Sequence, residues 1–286
     1  MSEEYGQDLA VVIVTYSPGE TLERCLDTLE KATTRPYSVV LADNGSVDGA
    51  PEKAVSRPNV SLLRTGGNLG YGTAANLGVA TLGPEYGWIV VANPDLEFGP
   101  GSLDVLFEAA SRWPRGGAFG PLIREPSGAV YPSARLVPTL RKGLGHAVVG
   151  RVWADNPWTR AYKQSDMSIV EREAGWLSGS CLLMRRTAFE SVDGFDTRYF
   201  MYFEDVDLGD RLGRAGWQNV YVPSAEVVHI QGHSTARSSE RMLAVHHESA
   251  YRFIADRHQG PRWAAVRAGV KAGLALRLKV EARRKG

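Results

Sequence analysis

Apolar runs alternate with amphipathic stretches along the first half of the chain. Residues 9–16, LAVVIVTY, are almost continuously apolar, which predicts a strand buried on both faces. Pro18 opens a stretch where Leu22, Leu26 and Leu29 recur at helical spacing. Strand-like runs return at 37–43, 59–65 and 87–93, and between the last two GYGTAANLGVATL reads as a helix of small residues. A helix at 101–112, a strand GGAFGPLI and a hairpin-like EPSGAVYPS follow. This order predicts an α/β fold, a mostly parallel central sheet flanked by helices on both faces.

The second half is less regular. Residues 138–172 are rich in Trp, Pro and basic side chains, with weak helix signals. AGWLSGSCLLMRR (174–186) reads as a strand, EDVDLGDRLGRAGW as a helix ended by Gly216, and QNVYVP and EVVHI as two short strands. A helix is expected from about 239 to 258. No stretch has linker composition, so one domain is expected over 1–260, followed by a basic C-terminal helix over 261–286.

Composition narrows the class. At 43% hydrophobic and 23% charged residues, the chain has enough apolar content for a real core. Two cysteines, Cys25 and Cys181, have no metal-type spacing, and the acidic start MSEEYGQD lacks the pattern of a signal peptide. A cytoplasmic setting is the expectation. The net charge of +1 hides an asymmetry: residues 262–286 carry eight Lys/Arg and one acid, so the remaining body is acidic. That distribution argues against a nucleic-acid binder. In the tail, Trp263, Val266, Val270, Leu274 and Leu278 form an apolar stripe bordered by Arg267, Lys271 and Arg277. Such a helix either rests on the inner leaflet of a membrane or docks on the protein itself.

Candidate chemistry lies where strands end, since open parallel sheets bind ligands beyond their carboxyl edge. Those ends read Thr15-Tyr16, Asp43-Asn44-Gly45-Ser46 and Asn93-Pro94-Asp95. Asp-Asn-Gly and Asn-Pro also begin ordinary turns. GGNLGYG (66–72) is a glycine-rich turn into a helix, able to bring backbone amides close to a phosphate or simply to be a loop. Neither a dinucleotide fingerprint nor a phosphate-binding P-loop occurs. Glu204, Asp205 and Asp207 crowd one helix start, where acids suit the helix dipole and where the same field would keep an aspartate ionised as a general base. His229 ends a strand and His233 follows it; one carboxylate with one histidine would make an open site for a divalent ion.

Taken together, VVIVTYSPGETLERCLDTL, LADNGSVDG, GGNLGYGTAAN, VANPD, WLSGSCLLMRR, YFMYFEDVDLGDRLGRAGW and HIQGHST resemble the inverting family 2 glycosyltransferases of the GT-A fold. Within that family the chain is similar to the rhamnosyltransferases of actinobacterial cell-wall linker synthesis. The resemblance implies dTDP-L-rhamnose as donor and polyprenyl-diphospho-GlcNAc as acceptor, with Mg2+ or Mn2+ as cofactor. It implies that Thr15, Tyr16, Asp43 and Asn44 contact the nucleotide, Asp43 reading an imide N–H. Asn68, Gly70, Tyr71, Gly72 and Asn93 would line the donor cleft. Asp95 and His229 (or His233) would hold the metal. Asp205 would be the base with Glu204 positioning the acceptor, and Trp176, Ser178 and Gly179 would lie near the acceptor or donor sugar. One departure stands out: Asn93 occupies the first acid of the family's Asp-x-Asp motif. A family 2 enzyme using a UDP-sugar shares these motifs. A nucleotidylyltransferase would need a basic glycine-rich N-terminal signature that TYSPGETLER lacks, and a non-catalytic sugar-binding module would not need Asp95 and Asp205 together.

Overall fold

The computed structural model describes residues 5–139, 169–230 and 239–285. Four strands form the parallel heart of the sheet: β1 (Asp8–Thr15), β2 (Tyr37–Asp43), β3 (Val60–Arg64) and β4 (Tyr86–Ala92). Beside them run β5 (Leu96–Phe98), β6 (Gly116–Arg124), β11 (Cys181–Arg185) and β12 (Gln218–His229), giving the order β3-β2-β1-β4-β11-β6-β12-β5. β11 runs antiparallel to both its neighbours, while β6 and β12 are parallel to each other. The sheet is therefore mixed, parallel at its N-terminal half.

Alternate residues of β1 enter different cores. Leu9, Val11 and Ile13 meet Leu22, Leu26 and Leu29 of α1 (Thr21–Leu29) and Leu103 and Leu106 of α4 (Ser102–Arg112). Val12 and Val14 face Ala74, Ala75 and Val79 of α3 (Tyr71–Ala80) on the opposite side. Helices on both faces are why the strand reads as continuously apolar. The small residues of α3 let it lie close to the sheet: a Cβ on Gly78 would stand 2.5 Å from Val12 Cγ1.

Two expectations need correction. The expected strand over 174–186 is broken into β9 (Arg172–Ala174), β10 (Trp176–Leu177) and β11, because Ser178–Ser180 turns out of the sheet. β10 pairs with β8 (Ala134–Arg135) in a separate two-stranded ribbon, next to the short β7 (Val130–Tyr131). The two strands expected at 218–223 and 226–230 are one strand, β12, with a register shift between Val222 and Glu226. The short helices are α2 (Ala50–Ala54) and α5 (Arg186–Glu190). Much of the irregular 138–172 stretch lies outside the described residues.

α6 (Glu204–Arg214), α7 (Ser239–Arg257) and α8 (Ala264–Lys285) complete the chain. α7 is tied to α6 through Arg257, whose Nη2 lies 2.5 Å from Asp210 Oδ2 and 3.5 Å from Asp207 Oδ1. α8 packs back on α7. Its stripe residues Trp263, Val266, Val270, Leu274 and Leu278 are half-buried, whereas Leu276, off the stripe, is 64% exposed. Lys271 Nζ stands 5.7 Å from the Tyr251 ring centroid. The apolar stripe thus faces the protein, and the expected membrane-resting helix finds no support in this packing. No helix among the described residues is long and apolar enough to cross a membrane.

Candidate active site

β2 and then β3 are added on one side of β1, and β4 pairs parallel on its other side, so the strand order reverses at β1. Beyond the carboxyl ends of these strands lies a cavity of about 590 Å³. Tyr16, Asn44, Asn68, Tyr71, Asn93, Asp95, Trp176, Ser178, Gly179, Glu204, Asp205 and His229 all line it. Twelve positions that the sequence places in a site, scattered over more than two hundred residues, therefore share one hollow.

Four others face elsewhere. Asp43 is 1% exposed. Its carboxylate accepts from Thr15 Oγ1 (2.9 Å), Ser46 Oγ (2.5 Å) and the Ser46 amide (3.2 Å), with Arg64 Nη1 at 3.4 Å. The oxygens expected to read a base are thus occupied from within, and Thr15 is buried with them. Gly70 (φ +90°) and Gly72 are close-approach positions: an added Cβ would lie 2.3 Å from Phe200 O and 2.7 Å from Phe195 Cβ, respectively. They seat the 195–200 segment and do not line the cavity. Asn44 braces the glycine-rich loop, donating to Gly70 O at 3.2 Å and accepting from Thr65 Oγ1 at 3.0 Å.

β12 pairs antiparallel with β5, setting His229 opposite Leu96 and its ring beside Asp95. His229 Nε2 is 3.0 Å from Asp95 Oδ1 and 3.2 Å from Asn93 Nδ2. The tautomer decides the pattern: a protonated Nε2 donates to Asp95, a bare one accepts from the Asn93 amide. Two donors each about 2.1 Å from one ion and at right angles stand roughly 3.0 Å apart, so the pair also fits a shared divalent cation. Among the described residues no three His, Cys, Asp or Glu converge, so phosphate oxygens and water would complete the shell. His233 lies outside the described residues.

The three acids at the start of α6 part company. Asp207 is spent on structure, paired with Arg211 at 2.5 Å and with Arg257. Asp205 accepts from the Gly179 amide at 3.0 Å through Oδ2 and from the Val206 amide at 2.8 Å through Oδ1. Glu204 is 8% exposed, and its Oε2 has no hydrogen-bond partner among the described residues. Burial, with Asp205 alongside, pushes Glu204 up to about 8. Burial also raises Asp205, against the two amides that hold its charge. Desolvation thus works against the helix field and the two amides, and makes the Asp205 carboxylate a stronger base. Tyr71 Oη donates to Gly179 O at 2.6 Å and so fixes the loop that holds Asp205.

The aromatic run RYFMYF before the acids, which in sequence suggests a dry wall, does line the cavity through Met201, Tyr202 and Phe203, whereas Ser17, His246 and Arg135 escaped sequence reasoning. Tyr202 and Phe203 both adopt φ near +66°, left-handed backbone that non-glycine residues rarely take, directly before the acid pair. Ser17 (φ 49°) is a third such residue on the cavity. His246, from α7, stacks edgewise on Tyr202 and Phe203 with centroids 5.4 and 5.5 Å away. Arg135 of β8 also lines the wall. Ser17, His246 and Arg135 carry no local motif that could have found them.

Comparison with known proteins agrees with this geometry. The family model "Glycosyl transferase family 2" matches residues 10–193. The chain is 60% identical over 279 residues to the N-acetylglucosaminyl-diphospho-decaprenol L-rhamnosyltransferase of Mycobacterium tuberculosis, covering 94% of this chain and 91% of that protein. It is 27% identical over 256 residues to the rhamnosyltransferase WbbL of Escherichia coli, covering 86% and 92%. Among solved structures, the mannosyltransferase PcManGT from Pyrobaculum calidifontis, with GDP-Man and Mn2+, has a TM-score of 0.60 at 15% identity, over 99% of this chain and 77% of that one. GalNAc-T7 with UDP, GalNAc and Mn2+ has a TM-score of 0.61 at 17% identity, over 85% and 47%. The architecture is the GT-A fold, and the chain belongs to glycosyl transferase family 2.

Proposed function

We propose that the protein transfers L-rhamnose from dTDP-L-rhamnose to the 3-hydroxyl of GlcNAc in a polyprenyl-diphospho-GlcNAc acceptor, with inversion. The substrates follow the name of the M. tuberculosis relative, and near-complete mutual coverage supports carrying them over. One observation carries the chemistry: a carboxylate held by two backbone amides, Asp205, opens onto the same cavity as the Asp95–His229 pair.

Asp205 accepts the proton of the acceptor hydroxyl as that oxygen bonds to the anomeric carbon. The bond from that carbon to the donor diphosphate breaks on the opposite face, so a single displacement inverts configuration and no second carboxylate is needed as nucleophile. Glu204, protonated at neutral pH, donates a hydrogen bond to the acceptor and leaves Asp205 as the charged member of the pair. Asp95 and His229 would hold Mg2+ or Mn2+, which supplies Lewis-acid neutralisation of the departing diphosphate. The Mn2+ in both structural neighbours supports a divalent ion. A lipid-linked acceptor places turnover at the inner surface of a membrane, with the protein peripheral to it.

The test is turnover by purified protein with a short polyprenyl-diphospho-GlcNAc, dTDP-rhamnose against UDP-sugars, with and without EDTA. Release of dTDP with one deoxyhexose added to the lipid, abolished by EDTA, is expected. Turnover only with a UDP-sugar would reject the donor assignment and keep the family.

A further inference from the structure

Transfer by this reading brings two diphosphates into one cavity, the donor's and the acceptor's. The Asp95–His229 pair serves the first. Among the described residues Arg135 is the sole Lys or Arg lining the cavity. It lies beside Trp176, its partner across the β8–β10 ribbon.

The site around Arg135 is built. Its Nε donates to Pro132 O at 2.8 Å, which fixes the plane of the guanidinium, and the Nη edge has no acceptor among the described residues. Tyr131 and Trp176 flank it, with ring centroids 5.7 and 5.6 Å from Cζ. Its backbone is clamped: Arg135 pairs with Trp176 across the ribbon and its carbonyl accepts from the Gly175 amide at 2.9 Å. A planar guanidinium with one edge held and the other free is suited to phosphate oxygens. The next three residues, Leu136, Val137 and Pro138, continue the cavity wall as an apolar strip, and Leu136 is 50% exposed. Charge followed by apolar surface is the order of chemistry along a polyprenyl diphosphate.

We infer that Arg135 binds the diphosphate of the lipid-linked acceptor and thereby sets the acceptor sugar against the base; the inference rests on the transfer reading above. Full-length wild type, Arg135→Gln and Arg135→Lys are compared on two acceptors: the short polyprenyl-diphospho-GlcNAc and a neutral alkyl N-acetylglucosaminide of matched length. Losing a charge-assisted contact should lower kcat/KM for the diphosphate acceptor about ten- to a hundredfold in Arg135→Gln, mainly through KM. The neutral acceptor should change by no more than about twofold, the KM for dTDP-rhamnose should hold, and Arg135→Lys should recover part of the loss. Equal losses on both acceptors would assign Arg135 a purely structural role, and a raised donor KM would place it on the donor diphosphate; either overturns the inference. Calorimetric binding of the diphosphate acceptor without donor separates this inference from the reading beneath it. Wild type that binds the acceptor and fails to transfer rhamnose would reject the donor alone, whereas undiminished binding by Arg135→Gln would reject the role of Arg135.

Discussion

Replacing Glu204 by Gln should flatten the pH dependence of stability. The carboxyl is 8% exposed, one oxygen lacks a partner among the described residues, and burial beside Asp205 lifts it from 4.5 to about 8. Between those values the folded protein keeps the proton that the unfolded chain releases. The stability contributed by this one carboxyl is therefore greatest below pH 4.5, falls as pH rises through the window, and is lost above about 8. One such group gives a slope of about 1.4 kcal/mol per pH unit, so the full span amounts to a few kcal/mol. Gln keeps the shape and removes the titration. Asp205 is raised as well, so the slope is reduced and not abolished. Urea unfolding of wild type and Glu204→Gln at pH 5, 6, 7 and 8 measures it. Parallel curves would refute the placement of a protonated Glu204 in the folded state.

Other expectations follow from the packing. If Asp95 and His229 hold the metal as proposed, Asp95→Asn or His229→Ala should raise the half-saturating Mn2+ concentration by at least the ~10–100-fold that losing an outer partner brings; titration of activity with Mn2+ reads it. Gly72→Ala forces a Cβ to 2.7 Å from Phe195 Cβ and should destabilise by about 1–3 kcal/mol, seen as a drop in Tm. Val270→Asp should also lower Tm, because the stripe is half-buried against α7; an unchanged Tm would mean the stripe is not docked.

The N-terminal sheet and its helices were legible because buried parallel strands and amphipathic helices write different periods into the chain. The break at Ser178–Ser180 was not: a loop bounded by Leu177 and Cys181 reads as one apolar run. Acids are harder still. Asp43, Asp95, Asp205 and Asp207 look alike in sequence, and their roles are set by partners far along the chain. Arg64 and Thr15 occupy Asp43, Arg257 occupies Asp207, and His229 meets Asp95. The C-terminal stripe has the same spacing whether its partner is lipid or α7, so only the fold chooses. Likewise His246 and Arg135 reach the cavity through the placement of α7 and of the β8–β10 ribbon, which no local pattern encodes.

The central claim is that Asp205 deprotonates the acceptor, and the most direct measurement is single-turnover transfer by Asp205→Asn with dTDP-rhamnose affinity measured on the same preparation. The account predicts a rate lowered by roughly 10²–10⁴, the range for a lost general base, with donor affinity within about twofold of wild type. Transfer at a rate close to wild type, with donor bound normally, would contradict it.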